Sequence, residues 1–367
     1  MYEHRLARLQ RALKDAGLET IAALPGANLF YLTGVSFHLS KRPLAGFFRA
    51  EGAPVLALPA MEYPKIRDAM PYPIEFFQWR DEDGPEAAFA GALRALGLAG
   101  KTLGVESFVM RFREMELIQK HAPGVRLVAG DAPFNALRRA KDAAEVALIR
   151  KAIAGTQQAL DRALAQVRPG MTEREIGGIA QAELLAGGLG ISFVIAQGGP
   201  TSAQPHGDMS DRPLGAGEPL LIDFGGMLGG YSADLTRTFF IGREPDARFR
   251  AIYELVKAAN QAGRAACGPG VPAQAVDRAA RQVIAEGGYG EYFIHRTGHG
   301  LGLDVHEEPY IIEGNATPLE PGDVFTVEPG IYLPGVGGVR IEDNILITPD
   351  GAETLTTYPR ELRVVGV

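Results

Sequence analysis

The chain has 367 residues, which allows two domains, and 46% of them are hydrophobic and 22% charged, as in ordinary globular proteins. A net charge of -7 argues against a nucleic-acid partner, because no basic excess is present to match phosphate. Apolar runs fall short of the roughly 18 residues that span a membrane, so a membrane partner is not expected. The single cysteine, Cys267, rules out an internal disulfide, and a cytoplasmic setting fits it best.

The first 130 residues alternate between helical and strand patterns. Leucines at helical spacing predict a helix over residues 3–17, and residues 86–98 predict another. Short apolar runs bounded by turn residues predict strands at 20–24, 46–49, 54–58, 102–106 and 125–129. This part of the chain is therefore predicted to be a small α/β domain.

The pattern changes near residue 130. The segment Gly130-Asp131-Ala132-Pro133 is typical of a linker, and residues 142–166 then predict a long helix with Asp142 as its N-cap. We place the boundary here, which gives an N-terminal domain of residues 1–132 and a second domain of residues 133–367.

The second domain contains a sequence repeat with an offset of about 100 residues. A long helical pattern precedes each copy, at 142–166 and at 246–266. Three further features recur 100 positions apart: Pro-Gly at 169–170 and 269–270, Gly-Gly at 187–188 and 287–288, and the histidines His206 and His306. Four matches in the same order predict a duplicated architecture.

The first copy ends in a strand pair that carries two aspartates. Asp223 lies inside an apolar run, where an acid is rarely found without a partner. If the turn centres between Leu228 and Gly229, Asp234 on the next strand faces Asp223 directly. Two facing carboxylates repel each other unless a positive charge lies between them.

The second copy repeats this arrangement with glutamates. Glu328 ends one strand pattern, Glu342 lies in the next, and Gly335 is the midpoint between them. Arg340 shares a face with Glu342, because strand side chains alternate with a period of two. The segment 295–302 adds a histidine, His299, between glycines that allow close backbone approach. These residues predict a metal site with carboxylate and imidazole ligands.

The segment 295–307 resembles the His-x-x-Gly-His-Gly-x-Gly-x-x-x-His-Glu signature of the metallopeptidase family that includes methionine aminopeptidase, aminopeptidase P, prolidase and creatinase. The acids at 223, 234, 328 and 342 resemble the family's Asp and Glu motifs. The resemblance implies an α+β protein in which a creatinase-like α/β N-terminal domain precedes a "pita-bread" catalytic domain with internal duplication. It also implies a homodimer.

The resemblance further implies a role for each residue of the site. Two divalent ions, Mn²⁺ or else Co²⁺ or Zn²⁺, are expected to bind five residues, with Asp234 and Glu342 as bridges: Asp223, Asp234, His299, Glu328 and Glu342. Glu328 is expected to shuttle a proton, and His206 and His306 to contact substrate and stabilise the tetrahedral intermediate. His295 and Tyr332 are expected to line the substrate pocket, with Arg340 as a supporting residue.

The N-terminal domain favours a peptidase for Xaa-Pro bonds, because methionine aminopeptidases generally lack it. Prolidases hold the free C-terminal carboxylate of a dipeptide, usually with an arginine in the loop after the His-Glu motif. That loop, residues 308–318, has no Arg or Lys here, which favours an aminopeptidase P that removes a residue preceding proline. An arginine from the N-terminal domain or a partner subunit would restore the alternative, an Xaa-Pro dipeptidase. A non-catalytic peptide-binding scaffold and a peptidase for dipeptides without proline are further alternatives.

Overall fold

The chain divides into two units, Met1–Arg138 and Arg139–Val367, and the computed structural model describes residues 2–70, 72–205 and 207–367. The division falls before the last residue of a helix, Asp131–Arg139, that also contains the predicted boundary between residues 132 and 133. The prediction of a linker at 130–133 was wrong, because Asp131 begins this helix and Pro133 lies in its first turn. Proline is tolerated there, since the first-turn N–H groups have no partner within the helix.

The first unit is built on a six-stranded sheet, counted over its described residues. Its helices are α1 Tyr2–Asp15, α2 Ala27–Thr33, α3 Tyr63–Ile66, α4 Glu86–Ala95, α5 Phe112–His121 and α6 Asp131–Arg139. Its strands are β1 Thr20–Ala23, β2 Ala45–Arg49, β3 Val55–Pro59, β4 Glu75–Trp79, β5 Thr102–Val105 and β6 Arg126–Ala129. The sheet order is β4-β3-β2-β1-β5-β6. The helices and strands predicted for this region are confirmed, whereas the helices α2, α3, α5 and α6 and the strand β4 had not been predicted.

The second unit contains four long helices and most of the strands of the chain. The helices are α7 Ala143–Leu164, α8 Glu173–Ala186, α9 Ala247–Ala265 and α10 Ala273–Glu286. The strands are β7 Gly190–Gly198, β8 Pro219–Leu228, β9 Tyr231–Ser232, β10 Leu235–Ile241, β11 Gly298–Gly300, β12 Glu307–Ile311, β13 Val324–Val327, β14 Gly330–Leu333, β15 Gly337–Arg340, β16 Asp343–Thr348, β17 Gly351–Thr354 and β18 Val364–Val365. Across the described residues, no helix combines the length and apolar character needed to cross a membrane.

The strands of the second unit form two larger sheets and a separate ribbon. One sheet has the order β18-β10-β8-β7, with β9 paired to β8, and the other has the order β12-β11-β13-β16-β17. The ribbon consists of β14 and β15. Helices α7 and α9 each pack an apolar face on this framework, through residues such as Leu160 and Val256.

The predicted duplication is confirmed by the structure. Helices α8 and α10 have 14 residues each and begin 100 positions apart. The glycine before each helix, Gly170 or Gly270, has a positive φ, and its N–H donates to the carbonyl of Leu214 or Leu319. Asp142 caps α7 as predicted, and its carboxylate accepts from the backbone of the first turn.

The hairpin of β8, β9 and β10 has a register that differs from the predicted one. Asp223 pairs with Thr236, so Asp234 lies two residues away on the same face rather than directly opposite. The turn centres on Gly229 and Gly230, and both have positive φ, as the central residues of a type I′ turn require. Because the shift is two residues, it preserves the face on which both carboxylates lie.

The second acid-bearing hairpin has the predicted register. Strands β13 and β14 flank Glu328, and β15 and β16 flank Glu342. The pairs on both sides keep the alignment that sets these two glutamates opposite each other. The two glutamates therefore lie where the hairpin passes from the larger sheet into the β14–β15 ribbon.

Candidate metal centre

A cavity of about 580 Å³ in the second unit collects most of the predicted site residues. Eight of them line it: Asp223, Asp234, His295, His299, His306, Glu328, Arg340 and Glu342. Tyr332 is reached through a hydrogen bond from the Arg340 side chain. The prediction for His206 lies outside the described residues.

Three buried side chains in this cavity form a cluster of metal-ligand type. Asp234, His299 and Glu342 each offer one ligand atom, and these atoms lie within 4.8 Å of one another. The Nε2 atom of His299 lies 3.7 Å from a carboxylate oxygen of Asp234 and 3.2 Å from one of Glu328. Imidazole and carboxylate groups that converge in this way suit a divalent cation.

The buried acids of this cluster repel one another, so a positive charge among them would stabilise their ionised forms. Burial, and after it the negative charges of the neighbouring acids, raise the pKa of Asp234 and of Glu342 well above the ordinary range. Burial also disfavours the charged form of Glu328, but the hydrogen bond from His299 lowers the pKa of that carboxyl to about 2. A cation bound among these groups would compensate the repulsion that the protein alone leaves in place.

Asp223 supplies a second sign that a ligand is needed. Its Oδ2 accepts a 2.6 Å hydrogen bond from Nη2 of Arg340. Its Oδ1 is buried and has no hydrogen-bond partner among the described residues. Because a buried polar atom without a partner is costly, the residues fit a metal ion that Oδ1 would bind.

Two threonines orient the acids and were not predicted from the sequence. Thr236 donates to Oε2 of Glu342 at 2.6 Å and accepts from Nε of Arg340 at 3.1 Å. Thr326 donates to Glu328 at 3.2 Å and accepts from the backbone N–H of His299 at 3.1 Å. Each threonine lies two residues from an acid, so the two-residue period of a strand would have indicated both.

Glycines bring His299 into the sheet. A Cβ atom at Gly298 would collide with the carbonyl of Thr326, and one at Gly300 with the carbonyl of Glu308. The close backbone approach expected around His299 is therefore confirmed. On the cavity side, the ring of His306 meets that of His299 edge to face at 4.1 Å.

A hydrogen-bonded chain links the predicted pocket residues. Nε2 of His295 lies 2.8 Å from the Tyr332 hydroxyl, which also accepts from Nη1 of Arg340 at 2.8 Å. Burial raises the pKa of Tyr332 to about 12, so this phenol keeps its proton at neutral pH. The series of hydrogen bonds continues from Arg340 to Asp223 and so connects the pocket wall to the carboxylates.

Arg296 is a cavity residue that sequence reasoning missed. Its side chain is half-buried, lines the cavity, and lies over the ring of Tyr310 at 4.5 Å. Within the described part of the chain it has no carboxylate partner. Residues 308–318 contain no Arg or Lys, but Arg296, from the histidine segment, contacts this loop through Tyr310.

The duplicated second unit, with its buried carboxylates and imidazole, defines an enzyme of the metal-dependent hydrolase class. Comparison with known families identifies the family within this class. The model of metallopeptidase family M24 matches residues 147–349, and that of the creatinase/prolidase N-terminal domain matches residues 5–140. The chain therefore belongs to metallopeptidase family M24, whose members use divalent metal ions. The expected fold and enzyme class are confirmed.

Individual relatives cover nearly the whole chain. It is 40% identical to the probable dipeptidase PepE of Mycobacterium tuberculosis, over 100% of this chain and 97% of the relative. It is 35% identical to an Xaa-Pro dipeptidase of Pyrococcus horikoshii, over 94% of each chain. The crystal structure of a prolidase from Thermococcus sibiricus superposes with a TM-score of 0.94 at 33% identity, covering 100% of this chain and 99% of that one.

Proposed function

We propose that the protein is an Xaa-Pro dipeptidase that depends on two divalent metal ions. The relatives named above support this reading over the aminopeptidase P that the sequence favoured, because two of them carry the name dipeptidase and the third is a prolidase. The observation that carries the proposal within this chain is the placement of Arg296 in the cavity wall.

The five predicted ligands remain the proposed metal set: Asp223, Asp234, His299, Glu328 and Glu342. Oxygen donors dominate this set, which favours Mn²⁺ over a thiolate-seeking metal. When bound, two such ions lower the pKa of a water molecule and polarise the scissile carbonyl. Asp234 and Glu342, whose carboxylates lie in the same buried cluster as His299, would help to hold these ions.

The chain's own groups then act on the proton and the developing charge. The proposed role of Glu328 is to accept a proton and return it to the leaving nitrogen. His306 lies on the cavity wall, where its ring can donate a hydrogen bond to developing negative charge. The corresponding role of His206, the homodimer and the cytoplasmic location stay predictions.

A dipeptide presents a free carboxylate one residue beyond the scissile bond. The guanidinium of Arg296 can hold such a group through two parallel hydrogen bonds. Its stacking on Tyr310 restricts the side chain, so less conformational entropy is lost when the carboxylate binds. A longer peptide has an amide at this position and gains nothing from the positive charge.

The test compares Xaa-Pro dipeptides, Xaa-Pro-Yaa tripeptides and Xaa-Pro amides with Mn²⁺ and with a chelator. We expect metal-dependent cleavage with dipeptides preferred. Arg296→Leu should reduce kcat/KM for dipeptides about 10- to 100-fold, the loss of one charge-assisted contact, and leave the amides nearly unchanged.

The amides are one control, because they lack the free carboxylate. Arg296→Lys is the other, because lysine keeps the positive charge but lacks the planar guanidinium that forms two parallel hydrogen bonds. Tripeptide cleavage that equals or exceeds dipeptide cleavage would favour aminopeptidase P instead. Binding without turnover would favour the peptide-binding scaffold, and equal cleavage of dipeptides without proline would remove the Xaa-Pro preference.

A further inference from the structure

Asn260, on α9, contacts the glutamate hairpin at the point where its two sheets meet. The side chain is fully buried. Its Nδ2 donates to the carbonyl of Val327 at 3.1 Å and to that of Ile341 at 3.2 Å. These carbonyls belong to the residues immediately before Glu328 and Glu342. One carboxamide therefore ties together the two peptide groups that carry the facing acids.

The orientation of this carboxamide is fixed from the other side. Nε of Arg264, one turn further along α9, donates to Oδ1 of Asn260 at 2.8 Å. The same guanidinium lies 3.5 Å from Asp343, the residue that follows Glu342. Because Oδ1 accepts from the Arg264 guanidinium, the two hydrogens of Nδ2 are directed at the two carbonyls.

The duplication gives Asn260 a counterpart. Helices α7 and α9 begin 104 positions apart, and Thr156 on α7 precedes Asn260 by the same 104 positions. The buried Thr156 hydroxyl accepts from the N–H of Gly226 at 3.0 Å, on the strand that carries Asp223. Each half of the unit thus has a buried polar group at the same helical position, bonded to its acid-bearing hairpin.

We propose that Asn260 is a positioning residue for the metal centre. By holding the Val327 and Ile341 carbonyls to one amide, it sets the spacing at which Glu328 and Glu342 face each other. The spacing matters because a divalent ion accepts ligands only within a narrow range of distance. This inference rests on the metal centre of the proposed function.

The test uses the full chain stripped of metal, with Mn²⁺ as the probe and calorimetric titration as the readout. Asn260→Leu removes both donors at similar volume, and Asn260→Asp removes them at the same shape. We expect Mn²⁺ affinity to fall about 10- to 100-fold in both variants, the range found when residues that orient metal ligands are changed. At saturating Mn²⁺, we expect kcat to fall and KM to change less than about threefold.

Tyr253→Phe is the matched control. Tyr253 lies on the same helix, and its single O–H is shared between two carbonyl oxygens, those of Arg360 and Glu361, each at 3.2 Å. The Tyr253→Phe variant should lose stability in chelator but keep its Mn²⁺ affinity within about threefold of the wild type, since Tyr253 orients no proposed ligand.

Wild-type Mn²⁺ affinity in a folded Asn260 variant would overturn the inference, as would an equal loss of affinity in Tyr253→Phe. Failure of both Asn260 variants to fold with and without Mn²⁺ would also overturn it, by making Asn260 a folding residue. If the wild type itself binds no Mn²⁺, the proposed function fails instead, so the two failures are distinguishable.

Discussion

Buried carboxylates serve two purposes at the level of single residues. Asp234 and Glu342 face other acids and call for a cation. Glu106 in the first unit is instead satisfied by protein donors, the backbone N–H of Leu24 at 2.7 Å and the amide of Asn28 at 2.7 Å. Burial still dominates, and it raises the pKa of Glu106 to about 7.

The raised pKa of Glu106 predicts a pH dependence of stability. Between pH values of about 4.5 and 7 the folded chain holds a proton that the unfolded chain releases, so this contribution to stability is present below that window and is lost as pH rises through it. The loss amounts to at most about 3 kcal/mol. Replacing the group by an uncharged amide, Glu106→Gln, should flatten this part of the profile.

Denaturant unfolding at several pH values, followed by fluorescence, measures this effect. Trp79 is the single tryptophan of the chain and lies in the first unit, so it reports on the relevant structure. Glu75→Gln, an exposed acid of the same unit, is the control and should keep the wild-type profile. Parallel profiles for Glu106→Gln and the wild type would contradict the assignment.

The five proposed ligands were predicted from the sequence because two pairs of acids in strand patterns, a histidine between glycines and the family motifs point to them together. The residues that orient them could not be found in the same way. Asn260 contacts carbonyls 67 and 81 positions along the chain, and only the folded hairpin brings these together. Arg296 was visible in the histidine segment, but its approach to Tyr310 depends on how β11 and β12 pair.

At the level of elements, the accuracy of each predicted hairpin register depended on how clearly the sequence marks the centre of the turn. The turn around Gly335 has a clear midpoint, and Glu328 and Glu342 face each other as expected. For the aspartate hairpin, the pair Gly229-Gly230 was the stronger signal, and a turn centred there gives the observed register. Strand β4 escaped prediction because its sequence, Glu-Phe-Phe-Gln-Trp, does not alternate apolar and polar residues.

Gly229 offers a test of the hairpin. Its φ is 59°, a value that asparagine tolerates and a β-branched residue does not. Gly229→Val should therefore lower the free energy of unfolding by about 1–2 kcal/mol more than Gly229→Asn does. The added Cβ lies 3.3 Å from Leu148 in both variants, so that contact cancels in the comparison.

Thermal unfolding in chelator measures the difference between these two variants, because metal binding then makes no contribution. Gly229→Asn also serves as the control for activity, and its kcat/KM should stay near that of the wild type. Equal midpoints for the Val and Asn variants would contradict a left-handed conformation at this position.

At the level of the whole molecule, stability and activity make opposing demands. The second unit gathers four carboxylates around one imidazole in its interior, which its own side chains neutralise only in part. The repeat that predicted this duplicated unit also explains how such a cluster can form, since each half contributes one acid-bearing hairpin. The cost of the cluster falls on the metal-free chain, and metal binding offsets it.

This opposition predicts that one substitution removes most of the stabilisation by metal without destabilising the metal-free chain. In the wild type, Mn²⁺ at about 100 times its Kd should add about 2.7 kcal/mol, or roughly 5–10 °C in the thermal midpoint. Asp234→Asn replaces a carboxyl whose ionisation the cluster opposes with an uncharged amide, and the backbone of that residue stays bonded to Asn344. In chelator its midpoint should therefore equal or exceed that of the wild type, whereas Mn²⁺ should raise it little and activity should be lost. A wild-type midpoint that is the same in chelator and in Mn²⁺, or an Asp234→Asn midpoint well below it in chelator, would contradict a buried carboxylate cluster built to bind metal.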